Sequence, residues 1–315
     1  MNIVFMGTPD FAVESLKKIY ENGHNVMAVV SQPDRPAGRN MKLMPTKVKE
    51  YAESKGIKVY QPEKIRKDVD LYETLKSLKP DVIVVVAFGQ ILPQKILDIP
   101  KYGSVNVHGS LLPKYRGAAP IQWSIINGDE VTGITTMYMD AGMDTGDMIL
   151  KKEVKIEPND TFGTLYEKMK IAGGELIINT LEKIADGMAP RTKQPEEYTI
   201  APIIEKTLGN IDWNKTSKEI RNLIRGLNPI PCAYTSIEGQ KMKIYMAEYT
   251  EIKNEDEVLP GTVIKANRKD GLVIATKDGA LEITEIQMPN SKKMLAKEYF
   301  NGHTISIGTT CYMQD

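Results

Sequence analysis

Short apolar runs and helical patterns alternate through the first half of the chain. The segments 3–6, 26–30 and 81–87 are apolar runs of strand length, and 104–108 and 132–139 follow as further strands. The run DVIVVVA at 81–87 is typical of a strand covered on both faces. Residues 11–20 and about 161–186 have helical spacing. This alternation predicts an α/β fold with a doubly wound, mostly parallel sheet.

The pattern changes after Gly187. Residues 188–202 hold three prolines and several charges, which is typical of a linker laid over the surface. Beyond it, 217–226 has the pattern of an amphipathic helix, and 241–246, 261–266, 272–276 and 280–286 are strand-like runs between Gly or charged turns. Such spacing predicts a small β-barrel or sandwich. We therefore predict domains at 1–189 and 206–315, joined by a linker at 190–205.

Composition and charge narrow the class of protein. The chain has 315 residues, of which 41% are hydrophobic and 26% charged, and its 41 basic residues equal its 41 acidic ones. No net field therefore favours a polyanion, and any nucleic-acid binding depends on local basic patches. Three histidines, two cysteines and no Cys-x-x-Cys pair predict neither a metal site nor a disulfide framework. Without a leader before the first strand or a run of ~18 apolar residues, we expect a cytoplasmic enzyme with no membrane segment.

The segment NVHGSLLPKYRGAAP at 106–120 carries the candidate chemistry. If 104–108 is a strand, Asn106 and His108 share one face near its carboxyl end, where open α/β sheets bind ligands. An amine that attacks a formyl carbon needs a stabilised oxyanion and a place for its proton. Asn106 can donate to the oxyanion, His108 can move the proton, and Asp144 can orient His108. The three residues therefore favour acyl or formyl transfer.

These residues also allow interpretations other than formyl transfer. The turn Gly7-Thr8-Pro9-Asp10 lacks Gly-x-Gly-x-x-Gly spacing and no Walker motif occurs, which disfavours a dinucleotide dehydrogenase. A single histidine is more often structural than catalytic. An asparagine near a strand end usually caps a turn, and Asp144 between two glycines could be a loop acid. Each of the three residues alone is weak evidence for catalysis, and the sequence segments around them distinguish the catalytic interpretation from the structural one.

Those segments resemble the folate-dependent formyltransferase family over essentially the whole chain. The resemblance rests on GTPDFA at 7–12, QPDRPAGR at 32–39, KLMP at 42–45, VVVAFGQILP at 84–93, NVHGSLLPKYRGAAPIQW at 106–123 and MDAGMDTGDM at 139–148. IDW at 211–213, NPIP at 228–231 and PGT at 260–262 fit the C-terminal domain of the members that act on tRNA. QPDRPAGR and KLMP also point to that branch.

The resemblance implies formyl transfer from 10-formyltetrahydrofolate to the α-amino group of methionine on initiator methionyl-tRNA. It assigns the catalytic roles to Asn106, His108 and Asp144. It assigns folate binding to the turn Ser110, Leu111, Leu112 and Pro113 and to Phe88, Gly89, Gln90, Ile91 and Leu92. No metal is implied, and we expect a monomer.

A basic loop such as 35–42 is ordinarily interpreted as solvated surface, but the resemblance favours RNA binding by this loop. It implies that Arg35, Arg39 and Lys42 contact tRNA, although Asn40-Met41 departs from the Gly- or Lys-rich loops of related chains. The C-terminal domain resembles an OB-like β-barrel, a fold that often binds nucleic acid. A further basic patch is predicted from Lys206, Lys215, Lys218, Arg221 and Arg225.

Two alternatives remain open at this point. A formyltransferase for an amino-sugar nucleotide would share the catalytic residues and the folate turn but need not have the basic loop. A non-catalytic RNA-binding protein could have kept the fold, although the intact Asn106, His108 and Asp144 argue against it. Glycinamide ribonucleotide enzymes of the family usually end near the first domain, so the C-terminal domain here counts against that acceptor.

Overall fold

A computed structural model describes residues 1–37, 41–252 and 258–313. The chain forms two compact units, each assembled from more than one segment. The first unit comprises Met1–Pro120, Val131–Lys155 and Tyr166–Ala201. The second comprises Ile121–Glu130, Ile156–Leu165 and Pro202–Asp315.

The first unit contains a seven-stranded sheet and two small two-stranded sheets. Its strands are β1 (Asn2–Gly7), β2 (Asn25–Val30), β3 (Arg35–Ala37), β4 (Lys42–Met44), β5 (Val59–Tyr60), β6 (Val82–Val86), β7 (Ser104–His108), β8 (Arg116–Gly117), β9 (Val131–Tyr138), β10 (Met148–Lys155) and β11 (Ile200–Ala201). The α-helices of the described residues are α1 (Asp10–Glu21), α2 (Lys47–Ser54), α3 (Val69–Leu78), α4 (Gln94–Leu97), α5 (Pro120–Ile126), α6 (Phe162–Ala185), α7 (Ser217–Leu227) and α8 (Ala296–Tyr299), with 3₁₀ turns at Ile65–Lys67 and Lys206–Gly209.

The large sheet has the order β10-β9-β7-β6-β1-β2-β5. Strands β5, β2, β1, β6 and β7 run parallel, while β9 is antiparallel to both β7 and β10. The prediction of a mostly parallel sheet is confirmed, and its five predicted strands and two predicted helices end within one residue of the observed bounds. Because β1, β6 and β7 are parallel, their carboxyl ends and the loops after them meet at one edge.

Apolar side chains fill both faces of this sheet. Val4 and Met6 of β1 belong to a buried cluster that also includes Leu71 and Leu75 of α3. Ile3 and Phe5 alternate with them, so they point to the opposite face, and both are fully buried. Helix α6 packs against β7 and β9. Its Gly173 lies so close to β7 that a Cβ added there would be 3.3 Å from Val107. Helices thus cover the sheet on both sides, as a doubly wound fold requires.

The second unit is built on an antiparallel sheet in the order β12-β13-β16-β15-β14, with β17 beside β16. These strands are β12 (Ala233–Ile237), β13 (Gln240–Tyr249), β14 (Val263–Asn267), β15 (Gly271–Ala275), β16 (Ala280–Gln287) and β17 (Met294–Leu295). Ser236 at one edge bridges Tyr312, and Thr262 beside the other edge bridges Thr310. The antiparallel β-domain is confirmed, whereas its description as OB-like remains a prediction.

Helix α7 begins with a capping box between Thr216 and Glu219, which satisfies the backbone amides of these two residues. It packs on β13 and brings two arginines into the interior. Arg221 donates to the carbonyl oxygens of Ala247 and Pro158, each at 3.0 Å, and Arg225 donates to that of Asp160 at 3.0 Å. Both arginines are buried, so the prediction that they form an exposed basic patch is wrong.

No helix among residues 1–37, 41–252 and 258–313 is long and apolar enough to span a membrane.

Candidate functional site

Strand β7 positions two of the three predicted catalytic side chains. Asn106 is half-buried on this strand and His108 is buried at its carboxyl end. The Nε2 atom of His108 lies 2.9 Å from the carbonyl oxygen of Tyr115, and its Nδ1 atom lies 3.6 Å from Oδ1 of Asp144. A carbonyl oxygen can only accept, so Nε2 carries a hydrogen. Nδ1 is therefore the ring nitrogen that is available for proton transfer beside Asp144.

Asp144 comes from the loop between β9 and β10, and its carboxylate contacts both β7 side chains. Nδ2 of Asn106 donates to Oδ1 of Asp144 at 3.4 Å, and the backbone N–H of Gly117 donates to Oδ2 at 2.8 Å. Asp144 has a φ of 55°, in the left-handed region that is uncommon for residues other than glycine. The structure therefore brings Asn106, His108 and Asp144 together, although they come from segments far apart in sequence.

The predicted folate turn is tied to strand β9. The hydroxyl of Thr135 donates to the carbonyl oxygen of Ser110 at 2.7 Å and accepts from the N–H of Leu112 at 3.0 Å. The Ser110 hydroxyl donates to the carbonyl oxygen of Lys114 at 2.6 Å. Leu112 is fully buried with Met137 and Met148, whereas Leu111 and Pro113 are half-buried. The Ser110 and Leu112 side chains thus hold the turn in place.

The second predicted folate segment follows β6. Phe88 is buried, and its carbonyl oxygen accepts from the hydroxyl of Thr8 at 2.9 Å and from Nε2 of Gln32 at 3.1 Å. Gly89 has a φ of 82°, which only glycine adopts readily. The side-chain amide of Gln90 accepts from the N–H of Ile65 at 2.8 Å and donates to the carbonyl oxygen of Pro62 at 3.0 Å. These bonds fix the loops at the carboxyl edge of the sheet.

A cavity of about 250 Å³ lies beside these loops. Its lining is mostly apolar and comprises Gln90, Ile91, Leu92, Met137 and residues 139–144, which include Asp144. Ile91 and Met143 are exposed. Of the nine predicted folate residues, Gln90, Ile91 and Leu92 line the cavity, whereas Phe88, Gly89 and residues 110–113 do not. Apolar walls next to the carboxylates of Asp140 and Asp144 suit a flat ring that has a polar edge.

Residues that the sequence did not single out complete this site. Nε2 of Gln194 donates to the carbonyl oxygens of Asp144 at 2.8 Å and Gly146 at 2.9 Å. Its Oε1 atom accepts from Nε and Nη2 of Arg116, at 3.0 and 2.8 Å. A glutamine among prolines and charges gives no sequence signal for such a role.

Gln194 belongs to a segment, residues 192–201, that we call the strap. Thr192 and Met148 exchange backbone hydrogen bonds of 2.8 and 3.0 Å. The N–H of Tyr115 donates to the hydroxyl of Thr199 at 2.8 Å, and β11 pairs with β8. Much of the predicted linker therefore runs along the loops that carry the candidate catalytic residues, bonded to them at several points.

Two of the predicted RNA-binding residues, Arg35 and Lys42, lie on a small hairpin formed by β3 and β4. Arg35 forms an exposed ion pair with Glu63 at 3.2 Å, and Lys42 is exposed. Met41 and Leu43 are exposed apolar neighbours. Arg39 lies outside the described residues.

Next to the hairpin, hydrogen bonds hold the charged side chains of Asp34 and Lys49 in place. Nε2 of Gln61 donates to Asp34 at 2.6 Å and Nζ of Lys49 donates to it at 2.7 Å, which lowers the pKa of the Asp34 carboxyl. Within 1–37, 41–252 and 258–313, no three His, Cys, Asp or Glu side chains are grouped so that they could hold a metal ion.

Comparisons with known protein families cover most of the chain. Residues 1–181 match the formyl transferase family, and residues 203–304 match the formyl transferase C-terminal domain. A methionyl-tRNA formyltransferase of Clostridioides difficile is 54% identical over 309 residues, 98% of this chain and 99% of the relative. One from Caldanaerobacter subterraneus is 51% identical over 310 residues, 98% of this chain and 99% of the relative.

Solved structures with a similar fold are more distant in sequence. An N-formyltransferase from Helicobacter canadensis, in complex with folinic acid and dTDP-3-aminofucose, has a TM-score of 0.65 at 24% identity, covering 93% of this chain and 99% of its own. HypX from Aquifex aeolicus, in complex with tetrahydrofolic acid, has a TM-score of 0.64 at 19% identity, covering 95% of this chain and 47% of its own. At these identities the similarity concerns the fold.

Proposed function

The chain belongs to the methionyl-tRNA formyltransferase branch of the formyl transferase family, and we propose that it formylates the α-amino group of methionine on initiator methionyl-tRNA. The formyl donor is 10-formyltetrahydrofolate, and the product is the N-formylmethionyl-tRNA used to initiate translation. Methionyl-tRNA formyltransferases support this acceptor, because they match nearly the full length of the chain at about 50% identity.

One observation carries the chemical part of the proposal. Asn106, His108 and Asp144 converge at the carboxyl edge of the sheet, with Asp144 3.6 Å from the His108 ring and 3.4 Å from the Asn106 amide. The cavity beside them is lined in part by Asp144 itself. An amide donor, an imidazole and a carboxylate next to a cavity suit the transfer of a formyl group to an amine.

We assign the proton transfer to Nδ1 of His108. Because Nε2 donates to the Tyr115 carbonyl, the ring is held in one orientation with Nδ1 toward Asp144. Nδ1 accepts the proton that the attacking amine loses, and the neighbouring carboxylate stabilises the imidazolium that results. The imidazolium then returns this proton to the leaving nitrogen as the bond between that nitrogen and the formyl carbon breaks. An α-amino group titrates near pH ~7.7–8.0 in model compounds, so this deprotonation is a modest task.

Asn106 has a second task that needs no change in its protonation. One hydrogen of its side-chain amide points to Asp144 at 3.4 Å, and an amide NH₂ group has two. The other hydrogen is available for the oxygen that gains negative charge as the amine adds. Oxyanion donors of this kind typically contribute on the order of 10²–10³ in rate.

The residues beside the site fit a folate donor. When bound, the folate supplies the formyl group. Ile91, Leu92, Met139 and Met143 offer apolar surfaces to a flat pterin, and Asp144 lies in the same lining. We propose that Phe88, Gly89 and residues 110–113 contribute by holding these walls and by backbone contacts.

We propose that Arg35, Arg39 and Lys42 bind the tRNA close to its reacting end. Lys42 is exposed next to exposed Met41 and Leu43, so the hairpin presents both a cation and apolar surface. Cations of this kind contact phosphate, and apolar side chains contact unpaired bases.

We propose a catalytic domain at 1–189, a linker at 190–205, and an OB-like tRNA-binding domain at 206–315. We also propose that the chain acts as a cytoplasmic monomer, a state that sedimentation at working concentration would test.

The decisive experiment supplies 10-formyltetrahydrofolate and offers three acceptors in parallel: methionine-charged initiator tRNA, charged elongator tRNA and an amino-sugar nucleotide. Formylation of the initiator alone is the expected result. Formylation of the sugar alone would keep the catalytic residues and overturn the tRNA acceptor. No formylation of any acceptor would overturn the proposed reaction.

A further inference from the structure

We propose that Gln194 is a positioning residue that sets the distance between His108 and Asp144. The proposal rests on the proposed function, because it concerns the same reaction. Gln194 contacts neither catalytic side chain. It joins the two backbone segments that hold them, and it comes from outside both.

The first of these segments is 115–117. The carbonyl oxygen of Tyr115 accepts from Nε2 of His108 at 2.9 Å, and the N–H of Gly117 donates to Asp144 at 2.8 Å. Between them stands Arg116, whose side chain is buried and stacks on the ring of Tyr198 with its Cζ atom 4.4 Å from the ring centre. Oε1 of Gln194 accepts two hydrogen bonds from this guanidinium, so the strap fixes the segment between its two catalytic contacts.

The second segment is 144–146. Its loop flanks the cavity, and its backbone is in the left-handed region at Asp144. Nε2 of Gln194 donates to the carbonyl oxygens of Asp144 and Gly146, which fixes the backbone on both sides of Thr145. Without these donors the two carbonyls lose their bonds, and the Asp144 carboxylate is held only through its own oxygens.

The chemistry of the side chain explains why a glutamine stands here. A primary amide has two donor hydrogens and one acceptor oxygen, so it can serve two carbonyls and a guanidinium at once. A carboxylate of the same length keeps the bond to Arg116 but turns an oxygen toward the two carbonyls. Gln194→Glu therefore keeps the bonds to the Arg116 guanidinium and removes those to the carbonyl oxygens of Asp144 and Gly146.

The experiment compares single-turnover formyl transfer by Gln194→Glu, Gln194→Met, and Glu196→Gln as a control. Glu196 is exposed on the same strap, and its substitution is the reciprocal exchange of amide and carboxylate. We expect both Gln194 variants to lose about ten- to a hundredfold in rate, the effect of a small misplacement of catalytic groups. The KM for each substrate should stay unchanged, and Glu196→Gln should behave as the wild type.

A double-mutant cycle separates positioning from general stability. If Gln194 acts through Asp144, adding Gln194→Glu to Asp144→Asn should cost almost nothing further. Equal losses in both backgrounds, or a wild-type rate for both Gln194 variants, would overturn the role of Gln194. A wild-type chain that formylates no methionyl-tRNA would instead contradict the proposed function itself, and with it this inference.

Discussion

The backbone N–H of Gly117 donates to Oδ2 of Asp144 at 2.8 Å, whereas Nδ1 of His108 lies 3.6 Å from Oδ1, so both oxygens of this carboxylate have a neighbour. Gly117 can make this bond because its φ is 120° and its Cα lies against the strap. A Cβ added there would be 2.7 Å from the carbonyl oxygen of Ala201. Backbone conformation at one glycine thus supplies one of the contacts that hold the candidate catalytic carboxylate of Asp144.

Gly117→Ala should therefore lower both stability and turnover. Strain of this kind costs about 1–3 kcal/mol, and the displaced N–H would shift Asp144. Melting temperature and kcat are the two measurements. Gly23→Ala is the matched control, because Gly23 has a φ of 77° with open space around it and lies away from the site. It should lose roughly 1–2 kcal/mol of stability and keep its kcat. A wild-type kcat for Gly117→Ala would show that Asp144 is held by other contacts.

His108→Ala and Asp144→Asn should each reduce kcat by about 10²–10⁴, the usual contribution of general acid–base catalysis. Folate binding should stay close to that of the wild type, because neither substitution removes an apolar wall of the cavity. Rapid-quench formyl transfer and equilibrium folate titration measure the two quantities. His24→Ala serves as the control, since His24 lies 3.3 Å from the terminal amino group of Met1 and not at the site. Near wild-type turnover in either site variant would refute the assignment.

Lys42→Ala and Arg39→Ala should weaken the use of tRNA far more than that of the folate. Each phosphate contact that is lost should reduce the slope of log(kcat/KM) against log salt by about 1. The comparison variant is Lys101→Ala, because Lys101 is exposed and precedes β7, at the amino-terminal edge of the sheet. Its salt slope should match the wild type. Equal changes in KM for tRNA and folate would argue against a role for the hairpin in RNA binding.

Both cysteines should be unreactive in the folded chain. Burial raises the pKa of Cys232 to about 11 and that of Cys311 to about 12. Relative to an ordinary thiol, the thiolate fraction of Cys232 at pH 8 falls roughly a hundredfold, and the thiolate is the reactive form. Iodoacetamide at pH 8 should leave both thiols unmodified until the chain is unfolded, and the labelling rate should rise with pH. Mass spectrometry measures the labelling, and rapid modification of the native chain would contradict this burial.

Much of the fold follows from sequence because its signals are local. The Val/Ile run before Gly89 predicts a buried strand directly, and alternation along 104–108 places Asn106 and His108 on one face. Strand β12 has no comparably continuous apolar pattern and was not predicted. The burial of Arg221 has no local signal either, because its partners Pro158 and Ala247 lie far away in sequence.

In the candidate site too, local motifs identify some residues, whereas contacts between distant segments have no signal in the sequence. Asp144 is recognised from a motif, but its contact with Gly117 depends on two left-handed backbone positions that no propensity specifies. Gln90 lines the cavity, and its folate role stays a prediction, but its bonds to Ile65 and Pro62 have no signal in the sequence. The strap is the clearest case. Prolines and charges are typical of a linker, and only tertiary hydrogen bonds reveal that this segment supports the site.

The strap also sets the order in which the site can form during synthesis. A chain that emerges from its amino terminus has β7 and the 140–146 loop long before it has Gln194 and Thr199. Until the strap is available, the loops that carry the candidate catalytic residues lack the hydrogen bonds that Gln194 and Thr199 supply. A nascent chain can therefore fold its central strands early, but it becomes a complete catalyst only when the last segment of the first unit has closed over the loops.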